Sequence, residues 1–318
     1  MENQPRIVLM CGGPFAYRGL SALAYEKYLA GVVIGTKETH VSNLLRQECE
    51  QSSVPFLNIN GSSEIENLIE WLEEIKPDAV FCICFPYLIP ARLIRNETIK
   101  FINFHTGPLP SYRGPMPIFE VIRRGEKETA MSVHFMTESY DTGSVIYAET
   151  LPITKTDTFT SLALKLSERC GIMVSNMAEM LQFSSSIPSE VQDQSEATFY
   201  PFPDVKELKI DWDTMSAEKI IALINACNGW NNGAITSFKD NELHLITVSP
   251  EPLAETRQYT PGTIIELFSD GSADIACIGE QKIRVCQLGT EDGLYSFDFL
   301  KQLGLKMDEV LGSSINLN

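Results

Sequence analysis

Residues Phe101–Tyr147 read FINFHTGPLPSYRGPMPIFEVIRRGEKETAMSVHFMTESYDTGSVIY. The stretch opens as a strand, because Ile99, Phe101, Ile102 and Phe104 are apolar and suit a buried pleat. Asn103 and His105 interrupt that run two residues apart. Side chains at i and i+2 of a strand share a face, so an amide and an imidazole leave one side of this strand at its end. A stiff loop follows. Pro108, Pro110, Pro115 and Pro117 fix much of its backbone, and Gly107 and Gly114 allow sharp bends. The pattern then predicts a helix over 118–124 stopped at Gly125, a strand over 130–136, and a turn at Tyr140-Asp141-Thr142-Gly143. Ligands in open α/β sheets sit outside the carboxyl ends of the strands. Asn103, His105 and Asp141 all fall at such ends.

Working outward towards the N-terminus, strands and helices alternate. Arg6 to Met10 reads as a buried strand, followed by the turn Cys11-Gly12-Gly13-Pro14. That turn matches neither G-x-G-x-x-G nor G-x-x-x-x-G-K-[ST], so it reads as a tight connection and not as a phosphate cradle. Helices are predicted over 15–28 and 39–49, with strands at 31–34 and 54–57. Ser62 and Ser63 are placed to cap a helix running to Ile75, with Glu66 in the capping-box position for Ser63. Ala79 to Phe85 is a continuous apolar run, as expected of a central parallel strand, and Cys82 and Cys84 within it read as small core residues. The alternation predicts a Rossmann-like, doubly wound α/β layer.

Beyond the opening stretch, Leu151-Pro152-Ile153 reads as a short strand. A long helix is predicted from Thr158 to Phe183, with Gly171 a weak point inside it. Residues 186–203 are polar and irregular and read as a crossing to a second domain. There Ser216 is placed to cap a helix, and five short alternating stretches lie between Ala234 and Cys286, separated by turns such as Lys239-Asp240-Asn241. That spacing predicts a small OB-like β-barrel. The expected domains are 1–185, a linker over 186–203, and 204–318.

Composition narrows the partners. The 318 residues carry a net charge of −17, with 16 Lys+Arg against 24 Asp+Glu up to residue 200 and 9 against 18 beyond it. Neither half offers the cations that displace counterions from a polyanion, which argues against a long nucleic-acid footprint. No run of eighteen apolar residues is present, so no membrane span is expected. The N-terminus lacks a basic region followed by a long apolar one, so a signal peptide is not expected either. Eight cysteines are scattered without a C-x-x-C, which points away from a disulfide framework or a metal site and towards a reducing cytoplasm.

The combination of N-x-H at 103–105, the loop Gly107-Pro108-Leu109-Pro110-Ser111-Tyr112-Arg113-Gly114 and the turn Asp141-Thr142-Gly143 resembles the signature of folate-dependent formyltransferases. Tyr140 stands where that family usually has leucine. Pro77-Asp78-Ala79-Val80 and Ile89-Pro90 also fit the family pattern, with Phe85-Pro86 in place of a common Tyr-Gly. So does Asn228-Gly229-Trp230, with Gly229 in place of a proline. The resemblance implies catalysis by Asn103, His105 and Asp141, with 10-formyltetrahydrofolate as formyl donor and no metal. Gly107, Pro108, Leu109, Pro110, Phe85 and Leu88 would then border the folate.

From the residues themselves, Asn103 and His105 can supply N–H donors to an oxyanion, and histidine is suited to moving a proton near neutral pH. Asp141 is placed to orient His105 and to favour its charged form. Arg113 reads either as a cation facing the substrate or as a pin for its own loop. His40, His134 and His244 read as structural or exposed. The full-length resemblance includes enzymes that formylate methionyl-tRNA, but the stretch 35–41 is short and lacks the basic cluster usual in them. The reading therefore favours a small or carrier-bound primary amine, such as an amino sugar or amino acid. Formylation of methionyl-tRNA and hydrolysis of the folate are the alternatives.

Overall fold

A computed structural model describes residues 4–35, 40–184, 186–239, 241–255, 257–290, 293–302 and 304–312. Residues 36–39, Ser185 and Asp240, with the side chains of His40 and Val41, lie outside the described residues, and so do the expectations that fell on them. By internal contact the chain divides into two compact units. The first is Met1–Pro117, Thr129–Leu151 and Ala163–Pro201; the second is Ile118–Glu128, Pro152–Leu162 and Phe202–Asn318.

The first unit is built on β1 (Ile7–Cys11), α1 (Tyr17–Tyr25), β2 (Leu29–Ile34), α2 (His40–Gln51), β3 (Phe56–Asn58), α3 (Asn67–Ile75), β4 (Ala79–Ile83), α4 (Ala91–Ile94) and β5 (Lys100–His105). After α5 (Pro117–Arg123) come β6 (Glu128–Phe135), β7 (Val145–Pro152) and the 25-residue α6 (Phe159–Phe183). The strands form one sheet in the order β3-β2-β1-β4-β5-β6-β7. The β3-β2-β1-β4-β5 part is parallel and β6 runs antiparallel to β5. The expected Rossmann-like layer is thus present, with an antiparallel extension. The order reverses beside β1, and the carboxyl ends of β4 and β5 lie next to that switch point.

The central strands are buried throughout, as their unbroken apolar runs require. Val8, Met10, Val80 and Phe101 pack with Leu68 and Leu72 of α3 on one face. Gly19 of α1 has Ile83 and Val174 within contact of where a Cβ would stand, so α1 passes close between β4 and α6. Gly171 likewise lies against Arg18, which explains a glycine inside a long helix.

Three local expectations fail for physical reasons. Ser62 and Ser63 enter a 3-10 turn, and α3 starts only at Asn67 without a side-chain cap, so there is no capping box. Cys84 is exposed and left-handed (φ 52°) where β4 ends, outside the core. The strand expected at 151–153 is the tail of the eight-residue β7, whose half-exposed alternation suits a sheet edge.

In the second unit, α7 (Ala217–Cys227) is capped by Ser216, whose side chain accepts from the Lys219 amide. The sheet there comprises β8 (Ala234–Phe238), β9 (Asn241–Val248), β10 (Leu253–Ala254), β11 (Ile264–Leu267), β12 (Ala273–Cys277), β13 (Gln281–Thr290) and β14 (Gly293–Tyr295), followed by α8 (Phe297–Gln302). The order is β11-β12-β13-β9-β8, with β10 and β14 also paired to β13. The pairings are antiparallel, as expected of the C-terminal domain. Trp230 collects Phe119, Phe159 and Phe202 around its ring at 5.3–6.1 Å. Gly229 before it sits at φ 101°, an angle closed to the proline it replaces.

Candidate active site

The site grows from the register of β5 and β6. Asn103 pairs with His134, and His105 with Ser132. Directly paired residues share a face, so the polar pair on β5 is matched by a polar pair on β6. The four side chains lie in a row among the apolar Phe104, Met131 and Val133, which point the other way. His134 was expected to be structural or exposed. It is buried, as a structural histidine would be, and it lies in this row within hydrogen-bond distance of Asn103. The signal was present in the sequence, because Ser132-x-His134 has the same two-residue spacing as Asn103-x-His105.

Hydrogen-bond chemistry assigns the rings. His134 Nδ1 lies 2.8 Å from the Phe135 carbonyl, which only accepts, so Nδ1 carries the proton and Nε2 is left as an acceptor. Asn103 Nδ2 lies 3.0 Å from that Nε2 and donates to it. The same Nδ2 is 3.4 Å from Asp141 Oδ1. His105 Nε2 donates to the Tyr112 carbonyl at 2.9 Å, which leaves Nδ1 facing Asp141 Oδ1 at 3.5 Å.

The expected free N–H donors are therefore engaged. What Asn103 and His105 present is the amide oxygen and, in the neutral ring, the Nδ1 lone pair. Asn103 Oδ1 makes no hydrogen bond within the described residues. Two acceptors side by side suit an incoming N–H group better than an oxyanion.

Asp141 is held in place from several sides. It is left-handed (φ 57°), a conformation aspartate tolerates better than most residues. Its Oδ2 accepts from the Gly114 amide at 2.9 Å. Gly114 has φ 116° and lies where a Cβ would strike the Tyr200 carbonyl, so no other residue fits. Gly143 has no more room, since a Cβ there would stand 1.8 Å from the Phe135 carbonyl. Burial opposes the charge of Asp141, but the neighbouring His105 and His134 rings and the Gly114 amide bring its carboxyl down to about 2. Burial pushes the His105 imidazole below its ordinary value, against the pull of Asp141 and the Tyr112 carbonyl. Asp141 does favour the charged ring, as expected, but desolvation outweighs it, so the imidazole gives up its proton more readily than an ordinary histidine.

The loop 107–114 is tied to the same row. Ser132 Oγ donates to the Gly107 carbonyl at 2.7 Å and accepts from the Leu109 amide at 3.2 Å. Gly107 is buried, and Pro108, Leu109 and Pro110 are half-buried beside it. Phe85 is half-buried, with its ring over Gly35 and edge-on to Tyr87 at 5.6 Å, while Leu88 is exposed.

Arg113 is buried and turned away from open space. Its guanidinium donates to Gln192 Oε1 at 3.1 and 2.6 Å and to Gln194 Oε1 at 3.1 Å. Of the two readings of Arg113, this geometry matches the pin and not the substrate-facing cation. Gln192 lies in the polar segment after α6, where composition pointed to no site residue. Among the described residues, no group of three or more His, Cys, Asp or Glu side chains is arranged so that it could hold a metal ion.

Comparisons with known proteins identify the family. Residues 16–176 match the family model described as formyl transferase, and residues 204–297 match that of the formyl transferase C-terminal domain. The chain is 28% identical over 321 residues to the methionyl-tRNA formyltransferase of Halalkalibacterium halodurans, covering 96% of this chain and 98% of that protein. Among solved structures it resembles the N-formyltransferase from Helicobacter canadensis in complex with folinic acid and dTDP-3-aminofucose. There the TM-score is 0.66 at 16% identity, over 92% of this chain and all of that one. It also resembles HypX from Aquifex aeolicus in complex with tetrahydrofolic acid, with a TM-score of 0.64 at 16% identity. This likeness covers 95% of the present chain but only 47% of HypX, so the chain spans about half of that protein. With both halves matched by their respective models, the chain belongs to the formyl transferase family and is a formyltransferase.

Proposed function

We propose that this chain transfers the formyl group of 10-formyltetrahydrofolate to a small or carrier-bound primary amine, such as an amino sugar or an amino acid. The observation that carries the chemistry is the pair of acceptors, Asn103 Oδ1 and His105 Nδ1, beside a carboxylate held ionised. The amine nitrogen attacks the formyl carbon while Asn103 Oδ1 holds one of its N–H groups. Its surplus proton passes to His105 Nδ1. The imidazolium so formed faces Asp141, and the low-dielectric surroundings strengthen that pairing. The bond from the formyl carbon to the folate nitrogen then breaks, and that nitrogen takes up the proton that the His105 imidazolium gives back, which restores the neutral ring. Gly107, Pro108, Leu109 and Pro110, with Phe85 and Leu88, would border the folate. The family uses formyl-tetrahydrofolate, and two proteins of the same fold carry folates in the complexes named above.

Charge supports the smaller acceptor. The net charge is −17. In the second unit Lys155, Lys239, Lys282, Arg284 and Lys301 each already meet a carboxylate. Phosphates would have to compete for those cations. The reading also places the chain in the cytoplasm, where its eight free cysteines stay reduced. Methionyl-tRNA is the second reading, favoured by the near full-length relative that carries that name.

The deciding experiment is turnover of 10-formyltetrahydrofolate with charged initiator methionyl-tRNA set against amino sugars, nucleotide-linked amino sugars and amino acids. Turnover with a small amine that is lost in His105→Ala supports the proposal. Efficient formylation of the tRNA replaces it with the second reading, and turnover indifferent to any amine means hydrolysis.

A further inference from the structure

We propose that Gln192, working with Arg113, is a positioning residue that locks the Asp141 turn in its working geometry. Gln192 is buried, and every hydrogen-bonding site of its carboxamide is used. Oε1 accepts two bonds from the Arg113 fork, at 3.1 and 2.6 Å. Nε2 donates to the Asp141 carbonyl at 2.8 Å and to the Gly143 carbonyl at 2.7 Å. No other orientation of the amide works. A flipped carboxamide would turn N–H groups on the guanidinium and an oxygen on two carbonyls.

This arrangement acts on the chemistry in two ways. First, two carbonyls from one turn converge on a single nitrogen. That convergence holds Asp141 left-handed, with its carboxylate towards Gly114 and His105. Second, the partners Arg113 finds here are the neutral amides of Gln192 and Gln194. Its charge therefore stays unneutralised by them within reach of His105. The groups facing His105 are Asp141, which favours its charged form, and His134 and Arg113, which oppose it. The surrounding segment is clamped as well. The Arg113 amide donates to the Thr198 carbonyl at 3.0 Å, the Tyr200 amide to the Arg113 carbonyl at 2.9 Å, and Val145 and Glu190 exchange both backbone bonds at 2.8 Å. Gln192 is the part of this clamp that reaches the turn itself.

The test uses Gln192→Leu and Gln192→Met in the full chain, neither of which can hold the two turn carbonyls. Misplacing a catalytic group by about 1 Å costs on the order of 100-fold in rate. Both variants are expected to lower kcat by about that factor while the KM for the folate moves less than about threefold. In both, the freed turn takes Asp141 away from the ring, and protonation of His105 Nδ1 moves to lower pH.

The activity arm rests on the formyl-transfer reading. The titration arm does not, because the Cε1 proton of His105 is followed by NMR among only four histidines, assigned by His105→Ala. If the wild-type chain shows no formyl transfer, the reading above fails while a shift to lower pH in both variants still supports this proposal. An unchanged kcat in the variants of an active chain, or an unmoved His105 titration in folded Gln192→Met, overturns it. Should Gln192→Leu fail to fold, the Gln192→Met titration decides alone.

Discussion

Two buried carboxylates, one in each unit, are held in opposite ways. Asp274 on β12 has no exposed surface and is neutralised outright. Arg284 grips it through two nitrogens at 2.7 and 3.0 Å, and Lys282 adds a third contact at 3.1 Å. Arg284 also lies over the Phe268 ring, and Lys282 reaches on to Glu255. Asp141 has 11% of its side chain exposed and, among the described residues, no lysine or arginine in direct contact. Its partners are a backbone amide, a shared asparagine N–H and two imidazoles. A carboxylate fully neutralised by fixed cations has no capacity left to respond when a neighbour becomes charged. One whose neighbours are neutral imidazoles gains a full ion pair at the moment a proton arrives. Of these two sites, then, only the one around Asp141 is arranged to change during a reaction.

The sharpest way to break this comparison is to neutralise each carboxylate. Asp141→Asn is expected to lower kcat about 1000-fold while thermal unfolding moves by only a few degrees, since general acid–base groups contribute roughly 10²–10⁴-fold. Its kcat/KM profile should also show the acidic limb at lower pH than the wild type, because the carboxylate that favours imidazolium is gone. Asp274→Ala should do the reverse. Removing one partner of a buried ionic cluster is expected to cost about 3 kcal/mol in denaturant unfolding, with turnover per folded molecule unchanged.

A smaller effect concerns acid stability. The carboxyl of Asp141 is held down at about 2 in the folded chain, below the 3.8 of an ordinary aspartate. The unfolded chain therefore binds the proton first, and the stabilisation is present above the ordinary aspartate range and lost as the pH falls towards 2. It is worth about 2 kcal/mol, and Asp141→Asn should flatten that part of the unfolding profile. His105 contributes with the same sign at higher pH. Its folded value is depressed, so acidification below the ordinary histidine range favours the unfolded chain. The smallest expected effect is that of His134→Phe. It keeps a ring but removes the acceptor of Asn103, and it should lower kcat about 10-fold, equivalent to one lost hydrogen bond of about 1 kcal/mol.

The two sites also differed in how readable they were. Asn103, His105 and Asp141 could be picked out because periodicity put them at strand ends and their combined spacing resembles the formyltransferase signature, and the strand–helix alternation carried the fold of the first unit. His134 and Ser132 were missed because a single strand does not reveal its partner's register. Only the antiparallel pairing of β6 with β5 sets His134 opposite Asn103. Gln192 was missed for a different reason. A polar, irregular segment looks like a crossing by composition, and nothing local shows that its amide is buried against Arg113. The failed capping box at Ser63 shows the ordinary weakness of local rules, since a 3-10 turn satisfied the same residues in another way.

The clamp over the site loop has a consequence for how the chain is made. Gln192 and Thr198 reach back to Arg113 and Tyr112 across 79 and 86 residues of sequence. Synthesis runs from the N-terminus, so Asn103, His105 and Asp141 emerge from the ribosome well before the segment that braces them. A nascent chain halted at the end of α6 holds all three groups with the loop still unfastened. The loop is fully fastened only when translation has passed Tyr200, whose amide donates to the Arg113 carbonyl.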